Sequence, residues 1–169
     1  MSRSDTETVK TWLLRLRETV ADAGFVEERL DALRSRAEAP RGSNLDGIPH
    51  AGSFADDKLG ALVAQIEELT AENARLWNRV GELRREREAA IRRIEGRGYA
   101  ELRAVLLLRY IDGESWNDLC FVLYGGKADF SEKEDSYLRR AYKLHGKALY
   151  ELSKIVPLEA GQENTTKEG

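Results

Sequence analysis

A seven-residue repeat of apolar residues runs from Leu59 to Ile94 and is the strongest pattern in the chain. One row of the repeat contains Leu62, Leu69, Leu76 and Leu83, and the other contains Leu59, Ile66, Asn73, Val80, Arg87 and Ile94. The 3-4 alternation of these rows places both on one stripe of an α-helix, at the d and a positions of a coiled coil. A single helix cannot bury such a stripe against itself, so the pattern predicts a helical partner.

The partner of this helix is either a second copy of the chain or another helix of the same chain. Asn73 at an a position would fix the register of a parallel zipper. The flanking pairs of such a zipper contain no ion pair, however, and one of them joins Arg79 to Arg84. The e row widens the stripe because it is largely apolar, with Val63, Trp77 and Ile91. The pattern therefore favours an intramolecular partner, while self-association of the resulting hairpin as a homodimer stays open. The residues that we expect to pack or to mediate self-association are Leu62, Ile66, Leu69, Asn73, Leu76, Val80 and Leu83.

A second long helix is predicted from about residue 5 to residue 38, where apolar residues again follow 3-4 spacing. Residues 39–56 separate the two long helices and contain Pro40, Pro49 and three glycines. Two matched helices joined by a loop are what an antiparallel hairpin requires. Residues 1–95 are therefore predicted to form a long antiparallel helical hairpin, a coiled coil with its loop at 39–56.

Beyond Gly96-Arg97-Gly98 the pattern changes to three shorter helices, predicted near 99–111, 115–124 and 136–155. Two short helices separated by a glycine turn and followed by a helix with a basic face match the helix-turn-helix plan. The chain is thus predicted to be all-α, with a small helix-turn-helix domain at 99–155. Residues 156–169 carry no packing pattern and are predicted to be disordered.

The basic face of the last helix is the candidate site for nucleic acid. A helix fits the major groove of DNA, and arginine and lysine side chains neutralise phosphates and reach guanine edges. The candidate DNA-binding residues are Ser136, Arg139, Arg140, Lys143 and Lys147. An acidic run precedes this helix, with Asp129, Glu132, Glu134 and Asp135. The alternative is a solvated cationic face on an ordinary helical bundle, with no role in binding.

Residues 105–123 (VLLLRYIDGESWNDLCFVL) resemble the fourth conserved region of sigma-70-type factors. The matching positions are Gly113, Ser115, Asp118, Leu119 and Cys120, where cysteine takes the place of the usual alanine. The resemblance implies a DNA-binding helix-turn-helix. Between the two helices of the motif the chain carries about nine extra residues, 127–135, which lengthens the usual tight turn.

The whole chain resembles a family of phage and prophage proteins related to the ArpU-type late transcription regulators. The resemblance rests on Pro49-His-Ala-Gly, Asp57-Lys-Leu-Gly60, Arg109-Tyr110, Ser115-Trp116 and Leu144-His-Gly-Lys-Ala-Leu149. It implies a transcription regulator that binds double-stranded DNA in the cytoplasm of a bacterial host cell. Two alternatives stay open: a non-enzymatic protein-binding module that docks on host RNA polymerase, and a small terminase-like DNA-packaging subunit.

Composition and charge argue against other classes of protein. The net charge of −3 means that a nucleic-acid surface must be a local patch. The single cysteine, Cys120, fits a reducing compartment, and no apolar run approaches the ~18 residues of a membrane span. His50 and His145 are far apart and have no cysteine or histidine beside them, so we expect no metal site, no cofactor, no small-molecule substrate and no enzymatic activity.

Overall fold

The computed structural model describes residues 3–39 and 52–156. Most of the predicted loop at 39–56, including His50, and residues 157–169 of the predicted tail lie outside the described residues. Every regular element within the described ranges is helical and none is a strand, so the all-α prediction is confirmed.

The described residues form five α-helices and one π-helical turn. Their bounds are α1 Arg3–Glu38, α2 Gly52–Arg92, α3 Tyr99–Leu106, a π-helical turn Leu107–Ile111, α4 Trp116–Tyr124 and α5 Glu134–Ser153. The third predicted helix was expected to continue unbroken to residue 111, but the structure has a π-helical turn over its last five residues. The last helix begins at Glu134 rather than at Ser136 and ends at Ser153 rather than at 155.

The chain divides into two compact units, which are described separately. The first contains Met1–Glu18 with Gly81–Gly169, and the second contains Thr19–Val80. In the first unit, α3, α4 and α5 pack around a shared core that also takes in Val9 and Leu13 of α1, together with Ile91 and Ile94. Val156 is buried in this core, so the prediction that the disordered tail begins at residue 156 is wrong for this residue.

The second unit has a smaller core between α1 and α2. Val26 and Leu30 of α1 are buried with Leu69 of α2, and Leu33, Ile66 and Leu76 pack against them. Farther along, Arg36 and Ala37 line the same depression as Leu59 and Leu62. Within this unit, later residues of α1 therefore lie beside earlier residues of α2.

The seven residues predicted to pack on the stripe of α2 are buried to different extents. Leu69, Val80 and Leu83 are buried, whereas Leu62, Ile66, Asn73 and Leu76 are half-buried. Arg87, which stands in the a row of the same stripe, is also buried, in the first unit. The stripe is therefore a real packing surface, although its cover is incomplete in the second unit.

Two local features connect the helices of the first unit. Gly96 adopts a φ of 126°, and a β-carbon there would lie 2.3 Å from the ring of Tyr99, so only glycine fits this turn. At the start of α4, the Ser115 hydroxyl accepts a hydrogen bond from the main-chain nitrogen of Asp118 at 3.2 Å. The predicted capping of α4 by Ser115 and Asp118 is therefore confirmed.

Candidate nucleic-acid interface

Helix α5 has one buried face and one exposed basic face. The buried face contains Ala141, Ala148, Leu149 and Leu152, which recur at the 3-4 spacing of an amphipathic helix. All five candidate DNA-binding residues are exposed: Ser136, Arg139, Arg140, Lys143 and Lys147. The helix thus brings together on its outward side the residues that the sequence singled out.

The cationic side chains of this face differ in their contacts with the rest of the protein. The guanidinium carbon of Arg140 lies 5.3 Å from the ring centroid of Tyr124 in α4, a cation–π distance. Burial raises the pKa of the Tyr124 hydroxyl, and the nearby charge of Arg140 opposes this shift. Arg139, Lys143 and Lys147 form no ion pair with any residue that the structure describes, so their charges face solvent.

The segment between α4 and α5, residues 125–133, is held by the side chain of Asp129. Tyr137 donates a hydrogen bond from its hydroxyl to one carboxylate oxygen at 2.7 Å, and Lys133 donates to the other at 2.9 Å. The Tyr137 hydrogen bond and the Lys133 ammonium lower the pKa of Asp129 to about 2. Asp129 is therefore a carboxylate at neutral pH, and the ammonium group of Lys133 in the same segment balances its negative charge.

Phe130 anchors the same segment to both neighbouring helices. Its ring centroid lies 6.0 Å from that of Phe121 in α4 and 5.7 Å from that of Tyr137 in α5. Nine residues therefore connect α4 to α5 in an ordered conformation, where a helix-turn-helix usually has a turn of about three or four residues. The acidic side chains of Glu132, just before α5, and of Glu134 and Asp135, at its start, are exposed.

Residues of the motifs that carry the family resemblance meet in one cluster around Trp116. The Trp116 ring lies 4.5 Å from Tyr142 and 5.1 Å from His145, centroid to centroid. The guanidinium carbon of Arg109 lies 5.0 Å from the Trp116 ring, and Arg109 donates a hydrogen bond to the main-chain carbonyl of Glu114 at 2.8 Å. This cluster joins the π-helical turn, α4 and α5, so its members have a structural role.

His145 is a packed residue of that cluster. Its Nε2 atom lies 2.8 Å from the Tyr110 hydroxyl, and the two rings stack. Burial, assisted by the charges of Lys10 and Arg109, lowers the pKa of His145 to about 4. Burial likewise raises the pKa of Tyr110 to about 12. His145 is therefore neutral at pH 7 and adds no charge to the basic face.

One exposed apolar surface of the same unit is not among the residues predicted from the sequence. Phe121 and Val122 lie on the outer side of α4, and more than half of each side chain is exposed. Helical spacing contains the signal, because Leu119, Cys120 and Tyr124 are the buried residues of α4 and Phe121 and Val122 fall between them. Exposed apolar residues beside each other are typical of a contact surface.

Comparison with protein-family models, with curated proteins and with solved structures gives no match to this chain. No helix in the described part of the chain is both long and apolar enough to cross a membrane. Within 3–39 and 52–156, no three histidine, cysteine, aspartate or glutamate residues come together in a way that could hold a metal ion.

Proposed function

We propose that the chain is a non-enzymatic, phage-type transcription regulator that binds double-stranded DNA through the outward face of α5. The observation that carries the proposal is the exposure of Arg139, Lys143 and Lys147 on one helix with no carboxylate partner among the described residues. Surface cations that are already paired gain little from a phosphate, whereas unpaired ones neutralise it and release its counterions.

The packing of the buried face of α5 fixes the position of the helix that carries these cations. Ala141 and Ala148 let α5 approach its neighbours closely, and the cluster around Trp116 holds α5 against α4. Groups that are fixed before binding lose less conformational freedom when they contact DNA. In the proposed arrangement, α4 and α5 are the two helices of a sigma-like helix-turn-helix, and the two long helices form an antiparallel hairpin ahead of it.

The ordered segment between α4 and α5 affects how DNA would approach. Glu132 is exposed just before α5, and Glu134 and Asp135 are exposed at its start; their carboxylates repel phosphates. The favoured contacts therefore lie farther along α5, from Arg139 to Lys147. We assign Lys143 and Lys147 to phosphates and Arg140 to a base edge, which it would reach by leaving the Tyr124 ring.

The proposal is tested by the binding of the full chain to a random-sequence duplex at several salt concentrations. Lys143→Ala removes a cation from the outward face, so the slope of log affinity against log salt should fall by about 0.9 for the lost phosphate contact. Lys154→Ala is the matched control, because Lys154 is already paired with Glu151 at 3.0 Å, and it should leave the slope unchanged. If the wild-type chain binds no duplex at low salt, the proposal is wrong.

A second candidate function is favoured by Phe121 and Val122. Six carboxylates and two lysines lie between residues 114 and 135, so the exposed apolar pair stands in an acidic region. Such a surface suits docking on a basic protein such as a site on host RNA polymerase, with no contact to DNA. The double variant Phe121→Ser, Val122→Ser should then lose binding to purified bacterial RNA polymerase, while Lys143→Ala should keep it. Polymerase binding that is unaffected by the double variant excludes this alternative.

A further inference from the structure

Gly146 is a glycine that the packing of the described chain does not require. It is exposed and lies inside the 20-residue helix α5. Its main chain is helical, so no left-handed turn calls for glycine at this position. In the described chain, no side chain and no other element comes within 4 Å of the place where a β-carbon would stand. Glycine inside a helix lowers stability relative to alanine, and no contact within the described residues offsets this loss.

Two other glycines of the same unit allow close contacts within the chain. A β-carbon at Gly96 would meet the ring of Tyr99, and one at Gly125 would lie 2.5 Å from the main-chain oxygen of Phe121. In both cases a neighbour of the same chain occupies the space that a side chain would need. At Gly146 the corresponding space is open. A bare main chain beside open space allows a ligand to approach the backbone closely.

The part of α5 around Gly146 is cationic. Residues 136–150 contain no aspartate or glutamate, and they contain four cationic side chains, Arg139, Arg140, Lys143 and Lys147. Residues three and seven positions apart lie on one side of a helix, so Lys143 and Arg139 share the side of Gly146. Both are exposed. A ligand that contacts the bare main chain therefore also meets these positive charges, which favours a polyanion over an apolar helix of a partner protein.

Tyr142 and Tyr150 stand four residues before and four residues after Gly146, on the same side of α5. The Tyr142 ring packs against Trp116 at 4.5 Å between centroids, and the Tyr150 ring lies 4.1 Å from Nζ of Lys154. Neither tyrosine comes within 4 Å of the place where a β-carbon of Gly146 would stand. The outward face of α5 therefore has a gap in its cover of side chains, here named the Gly146 gap.

We propose that the Gly146 gap is the point at which one strand of a bound DNA duplex comes closest to α5, with its sugar–phosphate backbone against the bare main chain and a phosphate at Lys143. The inference rests on the proposed DNA-binding function and adds to it the point of closest approach. Phosphates and sugars carry no sequence information. The contact at Gly146 therefore positions the duplex on α5 and contributes equally to the binding of any base sequence.

The proposal is tested by measuring two properties of each full-chain variant: its affinity for a random-sequence duplex at low salt and its midpoint of thermal unfolding. Gly146→Ala and Gly146→Leu introduce better helix formers, so each should raise the midpoint by a few degrees. The added side chain should hold the DNA strand away from α5 and weaken its contacts, so the affinity should fall about threefold for alanine and about tenfold for leucine. Because stability and affinity should change in opposite directions, unfolding cannot explain the loss of affinity.

Gly60→Ala is the matched control. Gly60 is also an exposed helical glycine with nothing described within 4 Å of a β-carbon, but it belongs to α2 in the second unit. The control should raise the midpoint and leave the affinity for DNA unchanged.

The outcomes separate this inference from the proposed function. If the wild-type chain binds the duplex and Lys143→Ala lowers its salt slope, but Gly146→Ala binds as tightly as the wild type or more tightly, the inference is wrong and the proposed function stands. If the wild-type chain binds no duplex, both are wrong. An equal loss of affinity in Gly60→Ala overturns the inference, because the loss would then follow from any stiffer helix. A lower midpoint for Gly146→Ala also overturns it, because the gap would then be filled within the folded chain.

Discussion

Arg87 donates hydrogen bonds from Nε and Nη2 to the main-chain carbonyl oxygen of Trp12, at 3.0 and 2.6 Å. Its guanidinium carbon also lies 4.4 Å from the centroid of the Trp12 ring. Glu86 accepts a further hydrogen bond from Nη1 at 3.1 Å. A charged side chain is thus buried in a row whose other members, apart from Asn73, are apolar, and its N–H donors form hydrogen bonds to oxygen atoms.

Three substitutions at Arg87 should lower the free energy of unfolding by different amounts, in a definite order. Arg87→Ala should lower the free energy of unfolding by about 3–5 kcal/mol, because it leaves a cavity and removes the hydrogen bonds to Trp12. Arg87→Met should cost least, since it fills the space and removes the buried charge. Arg87→Lys should cost more than Arg87→Met, because it keeps the charge and loses the planar fork. Urea unfolding at pH 7 measures the order, and a methionine variant less stable than the lysine variant would contradict it.

His145 should make the stability of the chain depend on pH. An unfolded histidine takes up a proton near pH 6.5, whereas the folded His145, with a pKa of about 4, does so only in stronger acid. The unfolded state therefore binds more protons between these values, and stability falls as the pH falls. From pH 7.5 to pH 5 the loss should be about 2 kcal/mol.

Urea unfolding at several pH values measures this loss, and His145→Gln supplies the control. Glutamine keeps a polar side chain beside Tyr110 but does not titrate, so the slope between pH 7.5 and 5 should become nearly flat. Asp129 does not interfere, because its lowered pKa of about 2 puts its contribution at more acidic values. An unchanged slope in His145→Gln would mean that another group titrates in this window.

Trp116→Ala should destabilise the C-terminal helices. Trp116 joins α4 to Tyr142 and His145 of α5, and truncating a tryptophan costs about 3–5 kcal/mol in a full core. Because Trp116 is half-buried, we expect about 2–4 kcal/mol. Val122→Ala on the exposed side of α4 is the control and should change stability by less than about 0.5 kcal/mol. A Trp116→Ala cost below ~1 kcal/mol would show that this cluster does not hold α4 on α5.

Asn73→Leu should stabilise the second unit by about 1–2 kcal/mol, because it replaces an unsatisfied buried oxygen with apolar surface. Asn78→Leu is a matched change on the exposed side of α2 and should have little effect on stability. Thermal unfolding compares the two variants. The mass of Asn73→Leu in solution carries a second result: a change in oligomeric state is expected only if residue 73 faces its own copy.

Arg140 and Lys143 should affect DNA binding in different ways. If Arg140 contacts a base edge, Arg140→Ala should cost about 1–3 kcal/mol on a selected sequence and relax the preference at one base pair. Lys143→Ala should weaken binding equally on selected and random duplexes. Arg140→Lys separates charge from geometry, because it keeps the cation and removes the bidentate fork. Equal losses for Arg140→Ala on both duplexes would assign Arg140 to phosphates instead.

The sequence predicts well those elements whose formation depends on residues close together in the chain. The 3-4 spacing indicates both long helices, and Ser115 with Asp118 indicates the start of α4, because capping involves residues three apart. The outward face of α5 follows in the same way, since the positions of Ala141, Ala148 and Leu152 determine which side is buried. Each of these needs only a few neighbouring residues.

The features that the sequence could not reveal depend on distant contacts. Arg87 is recognisable as a misfit in the a row, but its partner is a main-chain oxygen 75 residues away. The early start of α5 accompanies the contacts of Asp129 with Lys133 and Tyr137, which no periodicity records. The π-helical turn leaves no mark in the sequence either. The uneven burial of the α2 stripe depends on what covers each part of it.

The three tryptophans differ in their exposure to solvent, so their fluorescence can be used to study different parts of the chain. Trp12 is buried beneath a guanidinium, Trp116 lies against a tyrosine and a histidine, and Trp77 is partly open to solvent. A quencher such as iodide, which stays in the solvent, will therefore reach Trp77 before the other two. Since Trp77 is the single tryptophan between residues 19 and 80, its emission reports on that unit without an attached dye.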